Sequence, residues 1–308
     1  MRDVAMVSTV GAKESFSRSR ARGRRMVDAL ATAVLWTATS VIVGLLLLFV
    51  GYLFFKGASV VDWHFLTASP MAAQAGGGIG PFIYNSFYIL VLTLIFTVPI
   101  AVSAGMYLQE YASSGRFRQI VQFSAESLAT VPSIVMGLFG LLVFVEAFHW
   151  HFTALGGALT LTLLNLPAMM RVTQESLAGV PGTYREASMA LGGTKWQTIV
   201  RAILPSAIGP LTTGVVLIAG RIFGETAALI FTAGASVSYG SSAYDLSPWH
   251  TAETLSVALY QTHREALVPD ADRIGNGAAL VLLVMVLIFN IVARVAGRRL
   301  SIRLTGKA

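Results

Sequence analysis

The fold class this sequence predicts is an all-α membrane protein with six transmembrane helices, and three observations carry it. Hydrophobic residues make up 55% of the 308 and charged residues 12%, with a mean hydropathy of +0.69. That balance leaves too little polar surface to cover a core of this size in water. Six apolar runs approach or exceed the about 20 residues that a helix needs to cross the hydrocarbon layer. The 22 Lys and Arg gather at alternate boundaries between those runs, a pattern that argues for membrane orientation and against a nucleic-acid partner.

The elements follow in order. Residues 1–25 are polar, rich in Ser and Arg and without an apolar period, and are expected as a disordered basic cytoplasmic tail that touches anionic lipid. The run 27–55 supplies a first transmembrane helix over 26–56; it is too long for a signal peptide and lacks an Ala-x-Ala cleavage site, so it reads as a retained span. A short outward loop, 57–80, leads to runs at 81–108, 120–145 and 152–170. The connection 179–205 precedes the fifth run, 207–233, and the connection 234–276 is long enough for a helix of its own around 252–267. The sixth run is 277–295, and 300–308 reads as a second cytoplasmic tail. Pro99, Pro132, Pro167 and Pro205 each remove a helix hydrogen bond and favour a kink.

Placing the amino terminus in the cytoplasm puts 18 basic residues inside and only Lys56, Arg264 and Arg273 outside, with Arg221 in the membrane. Both termini are then cytoplasmic. There is no cysteine, so disulfides, thiol catalysis and cysteine metal sites are excluded.

The connection 179–205 is amphipathic and carries two helix-start patterns, Thr183 with Glu186 and Thr194 with Gln197, each spaced for a capping box. Gly192 and Gly193 between them supply the left-handed residue that ends a first helix. A short helix, a sharp turn and a second helix leading to Pro205 are expected. Within the fifth run, Arg221 and Glu225 are four apart, which on a continuous helix puts them on one face. A charge at bilayer centre costs about 2.5–3.5 kcal/mol on insertion scales, so such residues face a bundle interior or a wet cavity. One reading is a neutralising pair that locks two helices. The other is a guanidinium fork offered to a tetrahedral oxyanion, with Glu225 tuning it or taking the proton of a protonated oxyanion.

Weaker features read as structural. Residues 76–80 form a flexible glycine lead into the second span, His149 and His151 flank an anchoring Trp150, and Glu126 makes an interior polar contact. A phosphate-cradling loop needs Gly-Lys followed by Ser or Thr. Here the one Gly-Lys pair, Gly306-Lys307, precedes Ala308, so the chain is not its own P-loop ATPase.

Glu186-Ala187-Ser188, then Gly192 and, further on, Leu204-Pro205 together resemble the EAA loop of ABC-importer permeases. Ser188 replaces the second alanine, and Ala202 stands where isoleucine is usual, with Ile203 one place late. In that family the loop is the coupling helix that docks into the ATP-hydrolysing subunit, so the resemblance gives ATPase coupling to Glu186, Ala187, Gly192, Leu204 and Pro205. The stretch from Arg221 through Gly224, Glu225, Thr226 and Ala227 is similar to the Arg-Ala-x-Gly-Glu-Thr-Ala signature of the phosphate-importer permeases, with Ile222 in place of alanine. Stretches at 77–81, 107–112 and 132–140 match the same family, and the resemblance runs over residues 76–299, closer to its PstA-type than its PstC-type subunits.

That resemblance implies a type I ABC importer permease domain over 81–299 and a substrate pathway at Arg221, Glu225 and Thr226. Inorganic phosphate would cross the bacterial cytoplasmic (inner) membrane by alternating access. The implied partners are a second permease subunit (PstC-type), two copies of an ATPase subunit (PstB-type) that carries the ATP and Mg, and an extracytoplasmic phosphate-binding protein (PstS-type). No enzymatic reaction, cofactor or metal is expected on this chain. The alternatives are a related importer for sulfate or molybdate and a non-transporting membrane anchor.

Overall fold

A computed structural model describes residues 2–71, 75–112, 115–236, 244–265 and 269–305, and every element in them is helical. Five stretches are long and apolar enough to cross a membrane: Asp28–Gly57, Gly80–Tyr111, Ala154–Ala178, Lys195–Gly224 and Ala271–Arg299. A sixth exists only as a bent pair, Arg116–Ala129 with Ser133–Ala147, folded by 100°. The third expected run is therefore not a straight span. Pro132 is the cause, since it has no N–H to continue the first helix and pushes the residue before it out of helical geometry.

The chain divides into two units, Met1–Phe55 and Lys56–Ala308. The first is helical almost throughout, because α1 (Arg2–Gly57) begins at Arg2. The helix thus covers the stretch expected as a disordered tail. That stretch holds no proline, and its Ala, Arg, Lys, Glu and Met are strong helix formers.

In the second unit a short α2 (Trp63–Thr67) precedes α3 (Gly80–Met106), which continues as a π-helical turn, Tyr107–Tyr111. Next come α4 (Arg116–Ala129), α5 (Ser133–Gly140) with a π-helical extension Leu141–Ala147, and α6 (Ala154–Ala178). Two small helices, α7 (Gly182–Ala190) and α8 (Lys195–Thr198), lead through a π-helical turn Ile199–Ile203 into α9 (Leu204–Gly224). The chain ends with α10 (Ala227–Ile230), α11 (Leu255–Glu265) and α12 (Ala271–Thr305). α11 falls inside the expected helix at 252–267, of which 266–268 lie outside the described residues. α12 runs on into the expected tail at 300–308, of which 306–308 lie outside them.

α3 lies along α6, α6 against α9, and α9 against α12. Lipid is as apolar as leucine, so these contacts rest on close packing and internal hydrogen bonds rather than on escape from water. Accordingly the α3–α6 seam is lined by small polar residues. Thr93, Thr97, Thr162, Asn165 and Thr173 are all buried there, while Thr160 is buried against Gly140 of α5. Thr160, Thr162 and Thr173 donate to carbonyls one turn back at 2.8 Å, and Thr97 donates across the seam to Thr162 at 3.2 Å.

The glycines at 77–80 are not a flexible lead. Gly78 N donates to Ser69 O at 3.1 Å and Ile79 N to Phe65 O at 2.8 Å, and a Cβ on Gly78 would lie 2.6 Å from the Ala68 carbonyl. Backbone approaches backbone so closely there that only glycine fits.

Candidate functional site

The connection between α6 and α9 is a helix–turn–helix. Its turn is made by Gly192 at φ +81°, the left-handed conformation that glycine adopts without steric cost. Thr194 then caps α8: its hydroxyl accepts from Gln197 N at 3.3 Å while the Gln197 side chain accepts from Thr194 N at 2.9 Å. The matching box at Thr183 and Glu186 does not form. α7 begins two residues earlier than that box requires, with Pro181 as its cap, so Thr183 is already inside the first turn and Glu186 is exposed to solvent.

Ser188, the departure from the second alanine, has a role of its own, because its hydroxyl meets the Thr198 hydroxyl at 2.9 Å and ties α7 to α8. The second departure is also accounted for: Ile203, one place late, is buried by the π-helical turn together with Ile199, both 1% exposed, while Ala202 is half-buried. That turn precedes Pro205. Where proline withholds an N–H, a wider turn re-routes the backbone bonds and the helix continues. The second helix therefore does not stop at Pro205 but carries Leu204 and Pro205 straight into the span.

Sequence reasoning missed the apolar character of this knob. Leu191 at the turn is 90% exposed, and Met189 and Trp196 beside it are 52% and 58% exposed. With Glu186 and Ala187 exposed next to them, they make an apolar face open to solvent.

At its other end α9 stops at Gly224, and Glu225 is extended (φ −75°, ψ 119°). Arg221 and Glu225 therefore do not share a helical face, and among the described residues Arg221 forms no ion pair. Arg221 occupies the last turn of α9, where the negative end of the helix dipole suits a cation. Glu225 instead turns its carboxylate to α10, accepting from Ala228 N at 3.4 Å, and its carbonyl accepts from the Ser256 hydroxyl at 3.0 Å. Thr226 is the cap residue of α10 and is half-buried. Against α10 lies α5, whose Gly137 leaves no room for a Cβ beside the Ala228 backbone.

The exposed residues of α9 fall on one stripe: Pro210, Thr213, Leu217, Arg221 and Gly224. The opposite face is buried, with Phe223 packed edge-on between Phe87 of α3 and Phe289 of α12 at ring distances of 5.3 and 5.2 Å. Along the stripe runs an open cleft of about 1030 Å³ between α6 and α9, lined by Glu175, Tyr184, Arg201, Pro205, Thr213 and Leu217. The cleft begins at the helix–turn–helix and its lining ends at Leu217, one turn short of Arg221 on the same stripe.

A second charged group lies on α4 and α6. Arg171 is 3.8 Å from Glu126 and 3.6 Å from Glu175, all with side chains more than 60% exposed. Glu126 is thus on an exposed face rather than in the interior. The two histidines have left-handed backbones, φ 56° at His149 and 59° at His151, and Trp150 between them packs on Phe144 and Trp249 at 5.5 and 5.1 Å. No group of three or more His, Cys, Asp or Glu spaced to hold a metal ion is found among the described residues.

Comparison with known proteins adds three findings. Residues 97–306 match the model of the family described as binding-protein-dependent transport system inner membrane component. The chain is 39% identical over 290 residues to a probable ABC transporter permease, YqgI of Bacillus subtilis, covering 92% of this chain and 99% of that one. It is 35% identical over 242 residues to the phosphate transport system permease PstA of Haemophilus influenzae, covering 78% and 82%. Among solved structures, a chain of a bacterial alginate ABC transporter in complex with an alginate-bound periplasmic protein superposes with a TM-score of 0.65 at 16% identity, over 88% of this chain and 94% of that one.

Proposed function

The chain belongs to the family of binding-protein-dependent transport system inner membrane components and is an ABC importer permease of PstA-like kind; from that premise we propose that it carries inorganic phosphate inward past Arg221. The observation that carries the reading is a guanidinium on the exposed stripe of α9, one turn beyond an open cleft and without an ion pair among the described residues. Both helix end and stripe leave its planar fork of donors free, the geometry that matches two oxygens of a tetrahedral oxyanion. Glu225 and Thr226 frame the same break in the helix. A protonated oxyanion would meet an acceptor there as well as a donor.

The remaining parts of the reading follow from the other end of α9. The face made by Glu186, Ala187, Leu191 and Trp196, with Gly192 shaping the turn and Leu204 and Pro205 joining it to the span, is the dock for an ATPase subunit. Two such subunits (PstB-type) would hold the ATP and Mg. The excess of basic residues on that side orients the dock and both termini to the cytoplasm. A second, PstC-type permease would cover the exposed stripe of α9 and close the pathway, and a PstS-type binding protein would deliver phosphate on the opposite side. ATP-driven closure of the ATPase dimer then switches the bundle from outward- to inward-open. The family match removes the non-transporting anchor as an alternative.

The test is labelled-phosphate uptake by cells whose only copy of this chain carries Arg221→Ala, at matched membrane abundance. Loss of uptake is expected. Unchanged phosphate uptake, or sulfate or molybdate uptake that depends on the chain while phosphate uptake does not, overturns the reading.

A further inference from the structure

We propose that Glu110 and Arg185 form a strut through which the helix–turn–helix moves α3, making both of them positioning residues of the transport cycle; the inference rests on reading that connection as the ATPase dock. Arg185 Nη2 donates to Glu110 Oε1 at 2.6 Å and Nε to Oε2 at 3.3 Å, a two-point fork that fixes direction as well as distance. Two more of its donors go to the carbonyls of Leu177 and Val180, both at 2.9 Å, where α6 ends. One guanidinium therefore joins three elements: the π-helical end of α3, the end of α6, and α7. The Glu110 side chain is 9% exposed and that of Arg185 23%, whereas the other ion pairs among the described residues are 3.6–3.8 Å long and more open to solvent.

A second hold falls on the same turn. Lys195, at the start of α8, places Nζ 4.9 Å above the ring of Tyr111, the residue after Glu110. Both helices of the connection thus grip Tyr107–Tyr111, and that segment is π-helical, a form found frequently at functional sites, with a backbone register different from the α-helix it ends. A helix end that is soft where it joins its own helix and rigid where it meets its neighbour follows the neighbour. Higher up, α3 is clamped to α6: a Cβ on Gly105 would lie 2.7 Å from Thr173. Displacement of the dock is therefore delivered to the end of α3 by the fork, while the α3–α6 seam stays closed.

The test uses the assembled importer, with its ATPase, second permease and binding protein, in proteoliposomes, and reads the amount of cargo moved per ATP hydrolysed. The cargo is whichever oxyanion the wild-type complex moves, so failure of the phosphate reading shows in the wild type and failure of the strut only in the variants. In Glu110→Gln, ATP hydrolysis is expected to stay within about twofold while cargo moved per ATP falls about tenfold, the size of an ordinary coupling between sites. A role in stability alone would lower both together and leave the ratio unchanged, and an unchanged ratio overturns the proposal.

Where Glu110→Gln reduces assembly, the paired variant Glu110→Cys with Arg185→Cys replaces it. The chain has no cysteine of its own, so a short bismaleimide joins these two thiols alone within it. Bridging is expected to raise the ratio back toward wild type. A bridged complex that couples no better than the unbridged one overturns the strut.

Discussion

The connection that opens α9 and the break that closes it each present an arginine, and the protein treats the two in opposite ways. Arg185 is locked: four hydrogen bonds, two of them to a carboxylate, hold it half out of solvent among three elements. Arg221, in the last turn of α9, is exposed and has no carboxylate within ion-pair distance among the described residues. Filled donors hold structure together and free donors await a ligand. The difference teaches that an arginine in a permease is read by the state of its donors and not by its depth in the sequence.

Arg185→Ala breaks the comparison most severely, because it strands the carboxylate of Glu110. Removing one partner of a buried pair costs about 3–5 kcal/mol, and the partial exposure of Arg185 puts the expectation at the lower end. The unfolding midpoint of the purified chain in detergent should fall accordingly, while Arg221→Ala should leave stability within about 0.5 kcal/mol. The reverse order would show that the donors of Arg221 are the structurally committed ones.

Next in size is the transport effect of Arg221. Charge-assisted hydrogen bonds contribute about 1.5–3 kcal/mol, so Arg221→Ala should cut phosphate uptake by about ten- to a hundredfold. Arg221→Lys, which keeps the charge but loses the planar fork, should recover only part of it. Equal uptake by the Lys variant and the wild type would reduce the site to a point charge.

Two smaller effects sharpen the account of the dock. Gly192→Ala forces a side chain into left-handed backbone at a cost of about 1–2 kcal/mol, and Thr194→Ala removes a cap worth about 1 kcal/mol. Both should lower thermal stability and weaken recovery of the ATPase in a pull-down. Thr183→Ala should do neither, and an effect there as large as at Thr194 would restore the capping box that the structure does not form.

Features fixed by neighbours in sequence were legible in it. Five of the six apolar runs contain a membrane-length helix, the turn falls at Gly192, and the Thr194–Gln197 box forms as its spacing requires. Features fixed across the fold were not. Thr183 and Glu186 carry the same spacing, but Pro181 starts the helix two residues early and puts them out of register. The run 207–233 reads as one span, yet α9 ends at Gly224, and the backbone beyond it is held by Ser256, from a connection that no local pattern joins to it. Glu110 was visible only as part of a matched stretch, since its partner is 75 residues away. Proline announced a disturbance at Pro132 but not its size, and the 100° fold turned one expected span into two short helices.

The π-helical turn Ile199–Ile203 separates two quantities that an α-helix ties together, chain length and angular phase. Each residue of an α-helix turns the chain by about 100°, so a one-residue deletion among residues 211–219 would swing Arg221 off the exposed stripe and into the half-buried place of Gly220, beside Asn290 of α12. A deletion inside 199–203 meets a turn that already holds surplus backbone. It can relax to α geometry and leave the dock and the guanidinium facing as they do now. Insertions and deletions between the motor side and the cargo side are therefore tolerated at one turn of this chain and disruptive a few residues later.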